Sequence, residues 1–218
     1  MFSSFEFLPL LLKGTLITLE ITFISLAISL VFGVFVALAR ISNIFILNKI
    51  ASVYISIIRG TPLLVQLMYV YFVLPELGLK LTPFTSAVIG LALYESAYLA
   101  EIYRGGIQSI AKGQLEAAYA IGMNYNQAMK RVILPQAFKN VLPAVGNSAI
   151  LLLKNSSLTS FIAVNELMHT GELLATSTFR SLEIFTLVAA IYWILHYPMT
   201  LLVKHMERKM DIDSNKRH

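Results

Sequence analysis

The sequence predicts an all-α membrane protein of about five transmembrane helices, and three observations carry that class. Of its 218 residues only 13% are charged and 57% are hydrophobic, where a soluble domain has about 25% charged residues. Mean hydropathy is +0.72. Five apolar stretches follow one another, and ~20 apolar residues suffice for a helix to cross hydrocarbon. Inside a bilayer only helices and closed barrels satisfy their own backbone. Strict barrel-like alternation is missing, so helices are expected. A soluble bundle would show polar faces at helical period, and Leu26–Leu38 and Ile184–Leu195 show none. Length suits a single domain over residues 1–218.

The stretches run from Thr15 to Ala39, Thr61 to Leu74, Phe84 to Tyr103, Val141 to Val164 and Leu182 to Val203. Ahead of the first, Met1 to Glu6 has neither a basic region nor a small-residue cleavage pattern, so this stretch is expected to remain as a span. In the second, Pro62 lacks a backbone donor and disfavours helix at Thr61, which predicts a break. Tyr69, Tyr71 and Phe72 suit an outer aromatic belt. The third carries Glu95 near its middle and Glu101 towards its cytoplasmic end. Ionisable groups inside a span are costly and are functional candidates. Arg59 and Glu101 are equally served by an ion pair or by snorkelling, but the Glu95 side chain is too short to reach either interface. In the fourth, Lys154 precedes a polar run, Asn155-Ser156-Ser157, of a kind that also glues helices together. Trp193 and His196 of the fifth suit packing or a lipid or subunit boundary.

Lysine and arginine set the orientation. One set of connections holds Arg40, Lys49, Arg104, Lys112, Lys130, Arg131, Lys139, Lys204, Arg208, Lys209, Lys216 and Arg217, which is 12 of the 17 basic residues. The opposite set holds 3, namely Lys13, Lys80 and Arg180. This asymmetry puts the carboxyl terminus in the cytoplasm and the amino terminus outside. The net charge of +5 is therefore a topology signal, and no basic helix or aromatic-interleaved patch supports nucleic-acid binding. Cysteine is absent, and the four scattered histidines make no metal spacing.

The longest polar stretch, about residues 104–140, lies on the positive side. Gln114 to Ala120 favours helix, and Gly122 is placed to end it in the left-handed conformation. Asn124 caps a second helix with Gln127 completing a capping box, and Pro135 follows where it breaks that helix or opens the next.

Here a resemblance enters. Glu116-Ala117-Ala118, then Gly122, Val132, Leu134 and Pro135, meet every fixed position of the cytoplasmic signature of ABC importer permeases. Arg59-Gly60-Thr61-Pro62-Leu63, Ser96-Ala97-Tyr98-Leu99-Ala100-Glu101 with Arg104-Gly105, and Lys154-Asn155-Ser156-Ser157-Leu158 resemble the polar amino-acid branch. The matches span roughly residues 59 to 158.

The resemblance implies a type I importer-like bundle in a bacterial inner membrane. Glu116, Ala117, Ala118 and Gly122 would form a coupling helix seated on a cytoplasmic ATPase, with Glu116 in the first turn favoured by the helix dipole. No Gly-x4-Gly-Lys-Ser/Thr loop is present, so ATP and Mg are expected on separate ATP-binding subunits and no cofactor on this chain. A second permease chain, identical or similar, and an extracytoplasmic amino-acid-binding protein complete the expected assembly. For the substrate, the Gly60-Thr61-Pro62 break with Ser96 and Ser156 is placed to take a carboxylate. Glu95 and Asn155 are placed to take an ammonium or a polar side chain, with Tyr98 beside them. The family more often has Asp where Asn155 stands, and members handling basic substrates add an acid at the position of Ser148. Their absence favours a neutral polar amino acid, while Glu95 keeps a basic or cystine-like one open. A secondary transporter or channel fits less well, since five spans give no inverted repeat. No Gly-x-Ser-x-Gly, His-Glu-x-x-His or paired intramembrane aspartates indicate an intramembrane enzyme.

Overall fold

The computed structural model describes residues 6–215, with side chains described as far as Met210. Met1 to Phe5, Lys216 and Arg217 lie outside the described residues, so the expectations placed on them are not addressed. The helices are α1 (Leu8–Ile41), α2 (Phe45–Gly60), α3 (Leu63–Met68), α4 (Pro83–Gln108), α5 (Lys112–Ala120), α6 (Tyr125–Ala128), α7 (Leu134–Asn155), α8 (Leu167–Thr178) and α9 (Ser181–Asn215). No strand occurs among the described residues.

α1 is built inside out relative to a soluble helix. Its buried stripe is mostly small or hydroxylated: Gly14, Thr15, Thr18, Thr22, Ser25, Ser29, Gly33 and Ala37. Its outer face carries Leu16, Phe23, Val31 and Phe35, each about 60% exposed. Small residues let helices approach closely where lipid supplies no hydrophobic drive between them. The hydroxyls are satisfied internally: Thr15 donates to Leu11 O at 2.8 Å and Thr22 to Thr18 O at 2.7 Å. At 34 residues the helix is about 51 Å long, more than a bilayer requires.

α4 is the central helix and packs against α1, α2, α3 and α7. Where it crosses α7, a β-carbon on Gly106 would stand 2.0 Å from Val141 Cγ1, so only glycine permits this approach.

Two expectations change. The apolar stretch predicts a second span at Thr61 to Leu74, but the helical segment begins at Phe45. α2 and the continuous helical run Leu63–Leu77 form a pair bent by 107° at the Thr61-Pro62 break. The break is sealed by Gln66, whose Nε2 donates to Ile58 O at 2.7 Å, Thr61 O at 3.1 Å and Thr61 Oγ1 at 2.9 Å. Lys49, assigned to a loop, lies inside α2. Second, the five spans are not equivalent. Among the described residues α1 and α9 are long and apolar enough to cross a membrane alone, and the bent pair makes a third. α4 and α7 are long enough, but glutamate, lysine, asparagine and serine dilute their apolarity, and much of both helices packs into the bundle.

The 104–140 segment matches the local signals. α5 ends at Ala120 and the chain turns at Gly122, with φ +83°. Asn124 and Gln127 form the reciprocal capping box, and Pro135 sits in the first turn of α7. The dipole assignment for Glu116 fails, because α5 starts at Lys112 and has no acidic residue in its first turn.

Candidate functional site

Glu95 lies halfway along α4 and is 2% exposed. It faces α7, whose Ser148 hydroxyl donates to Glu95 Oε1. Oε2 has no protein partner among the described residues and is not one of the fully buried unsatisfied atoms, which leaves it open to a cationic or hydrogen-bonding ligand.

Next to it, the Tyr94 hydroxyl donates to the Tyr98 hydroxyl at 3.2 Å, and their rings lie 4.8 Å apart. The Arg59 guanidinium sits 5.1 Å over the Tyr98 ring. Arg59 Nη1 is 3.9 Å from Glu101 Oε2, but Glu101 is already gripped by Arg104, through Nε at 3.1 Å to both oxygens and Nη2 at 2.6 Å. A guanidinium has five donors, so Arg59 keeps most of its capacity. Along the middle of α4, Glu95 thus faces α7 while Tyr98 and Glu101 meet Arg59 from the end of α2.

Other sequence-based site residues have internal partners. Ser96 Oγ lies 2.8 Å from the Tyr54 hydroxyl and donates to Leu93 O. Thr61 donates to Ile57 O at 2.9 Å and both its oxygens accept from Gln66. Ser156 is fully buried and donates to Leu153 O at 2.7 Å. Asn155 is half-buried at the end of α7, beside exposed Lys154, and lies about 10 Å along the helix from Ser148.

A second buried carboxylate went unremarked in the sequence. Glu166, with 0% exposure, caps α8, accepting from the amides of Met168 at 2.9 Å and His169 at 2.7 Å. It also accepts from the Tyr192 hydroxyl of α9 at 3.0 Å and the Thr18 hydroxyl of α1 at 3.3 Å. Its one local signal is an acidic residue just ahead of a helical run. The long-range partners have no sequence signature.

At the other end, Glu116, Ala117 and Tyr119 are exposed on α5 and Ile121 just past it, whereas Ala118 is 2% exposed and faces its own chain. Gln136 of α7 donates to Gln114 of α5 at 3.2 Å, tying this segment to the bundle.

Comparison with known proteins agrees with this architecture. The family described as the binding-protein-dependent transport system inner membrane component matches residues 7–212. The chain is 41% identical over 204 residues to the arginine transport system permease protein ArtQ of Bacillus subtilis, covering 93% of each. It is 40% identical over 207 residues to the glutamine transport system permease protein GlnP of Escherichia coli K12, covering 94% of each. The L-cystine transport system permease protein TcyB of Bacillus subtilis is 41% identical, over 94% of this chain and 88% of that protein. A solved amino acid ABC transporter crystallised with histidines superposes with a TM-score of 0.92 at 41% identity, covering 95% of this chain and 97% of that one. The inward-facing MetNI methionine transporter, at 22% identity and a TM-score of 0.76 over 94% of this chain and 97% of that one, shares the fold.

Proposed function

The chain belongs to the inner membrane components of binding-protein-dependent transport systems, and from that premise we propose that it is the permease subunit of an ATP-driven importer of polar amino acids. Membership implies a multi-pass inner-membrane protein that works with an ATPase and a substrate-binding partner. ATP and Mg belong to the separate ATPase subunits, a second permease chain completes the pathway, and the amino terminus faces outward with the carboxyl terminus in the cytoplasm.

The observation that carries the substrate reading is the under-satisfied Glu95 at mid-span. Glu95 receives the ammonium or a polar side chain, with Ser148 orienting it and Tyr98 forming the wall. Arg59, two residues ahead of the sealed break, takes the carboxylate in place of Thr61, Ser96 and Ser156. Asn155 reads the far end of the substrate. Relatives named for arginine, glutamine and cystine stand at 41%, 40% and 41% identity, so overall identity does not choose among them. The missing acids at Asn155 and Ser148 favour a neutral polar amino acid.

Coupling to the ATPase runs through the exposed residues Glu116 and Ala117 and the turn at Gly122, with Ala118 packing the helix onto its own bundle. In proteoliposomes holding the whole transporter, Glu116→Lys and Gly122→Trp are expected to leave assembly intact and abolish hydrolysis stimulated by the loaded binding protein. Normal stimulation in both variants would refute this assignment.

A further inference from the structure

Between the ends of α1 and α7 that we place in the cytoplasm lies a groove of about 360 Å³. Val34 and Leu38 of α1 form one rim, 43% and 53% exposed, and Leu134 and Phe138 of α7 the other, 40% and 63% exposed. Tyr103 and Ile107 of α4 lie beneath. No charged side chain lines it, and its tyrosine hydroxyl is spent on Leu30 O at 3.4 Å. Val34 stands seven residues before the end of α1, about 10 Å, so the groove spans the edge of the hydrocarbon and the headgroup layer.

Lys130 precedes the Leu134 rim by about one turn, with Arg131 beside it in the π-helical turn that runs into Leu134. Both are exposed, and neither forms an ion pair among the described residues. An apolar slot with unpaired cations one turn further along the same helix suits a hydrocarbon tail joined to an anion.

We infer that this groove seats an acyl chain of an anionic phospholipid of the cytoplasmic leaflet, with Lys130 and Arg131 holding the phosphate. The leaflet rests on the orientation proposed above. Because the α7 rim continues through the π-helical turn towards α5, the lipid would brace the segment that meets the ATPase.

The test is native mass spectrometry of the whole transporter offered phosphatidylglycerol and phosphatidylcholine of identical chains. Wild type is expected to retain phosphatidylglycerol preferentially. Lys130→Ala and Arg131→Ala should each weaken that retention about fivefold, whereas Lys139→Ala, on the opposite face of α7, should leave it unchanged. Val34→Trp, which fills the slot from an exposed position, should lower retention of both lipids. Equal retention of the two lipids by wild type, or undiminished phosphatidylglycerol in all the variants, would overturn the inference. So would cross-linking of Phe138→Cys between two permease copies, a clean probe because the chain has no cysteine. Labelling of Lys139→Cys by an impermeant maleimide only from outside would refute the leaflet and the orientation, leaving the lipid counts to judge the groove.

Discussion

Glu95 and Glu166 are both buried in the same bundle, yet their surroundings are opposite. Glu166 has four donors drawn from three helices: two amides of α8, Tyr192 of α9 and Thr18 of α1. Glu95 has Ser148 alone. A carboxylate whose acceptor sites are filled by fixed donors holds helices in register and has nothing left for a ligand. One left with a single hydroxyl has a cost of burial that a passing ligand relieves. Burial therefore does not tell the two carboxylates apart, whereas the number of committed partners does.

The contrast breaks most visibly at Glu166. Glu166→Ala strands two amides and a tyrosine hydroxyl, and each stranded buried group costs about 1–3 kcal/mol. The expected outcome is a loss of about 3 kcal/mol or more, seen as a large fall in the yield of monodisperse protein by size exclusion. At Glu95 the loss should fall on transport instead. A hydrogen bond to a charged group contributes about 1.5–3 kcal/mol, so Glu95→Gln is expected to lower uptake at limiting substrate about tenfold to a hundredfold, with basal ATP hydrolysis kept. Ser148→Ala is the mildest change. It removes the orienting hydroxyl, and should shift the apparent KM for substrate by only a few-fold, about 1 kcal/mol, with no loss of yield. Its partner control, Thr18→Val, removes one of four donors to Glu166 and should affect yield but not KM.

What was legible in the sequence follows the same division between local and distant causes. The turn at Gly122 and the capping box of Asn124 with Gln127 are decided within four residues, and both appear as read. Pro135 lies in the first turn of α7 but breaks nothing, since the helical run continues from Tyr125 to Asn155. The break at Pro62 is local too. The helix before it was missed because Asn48, Lys49, Ser52, Ser56 and Arg59 interrupt its apolar residues, and a search for unbroken hydrophobicity passes over such a helix. Glu95 was found because a charge inside a span stands out by composition alone. Glu166 lies past the apolar stretch, and its partner Thr18 is 148 residues away, a distance across which pattern carries nothing. The hydroxyls of Ser96 and Ser156 looked available in the sequence, and only the fold shows them turned onto Leu93 and Leu153.

The most direct test of the division compares Glu95→Gln with Glu166→Gln in one preparation, since both replace a carboxylate by an amide of equal size. Thermal stability of the purified transporter and amino-acid uptake per folded complex are measured side by side. The account predicts that Glu95→Gln keeps the wild-type melting temperature and loses uptake, while Glu166→Gln lowers the melting temperature and keeps uptake per folded complex. Wild-type uptake by Glu95→Gln for every amino acid that competes with the native substrate would contradict it.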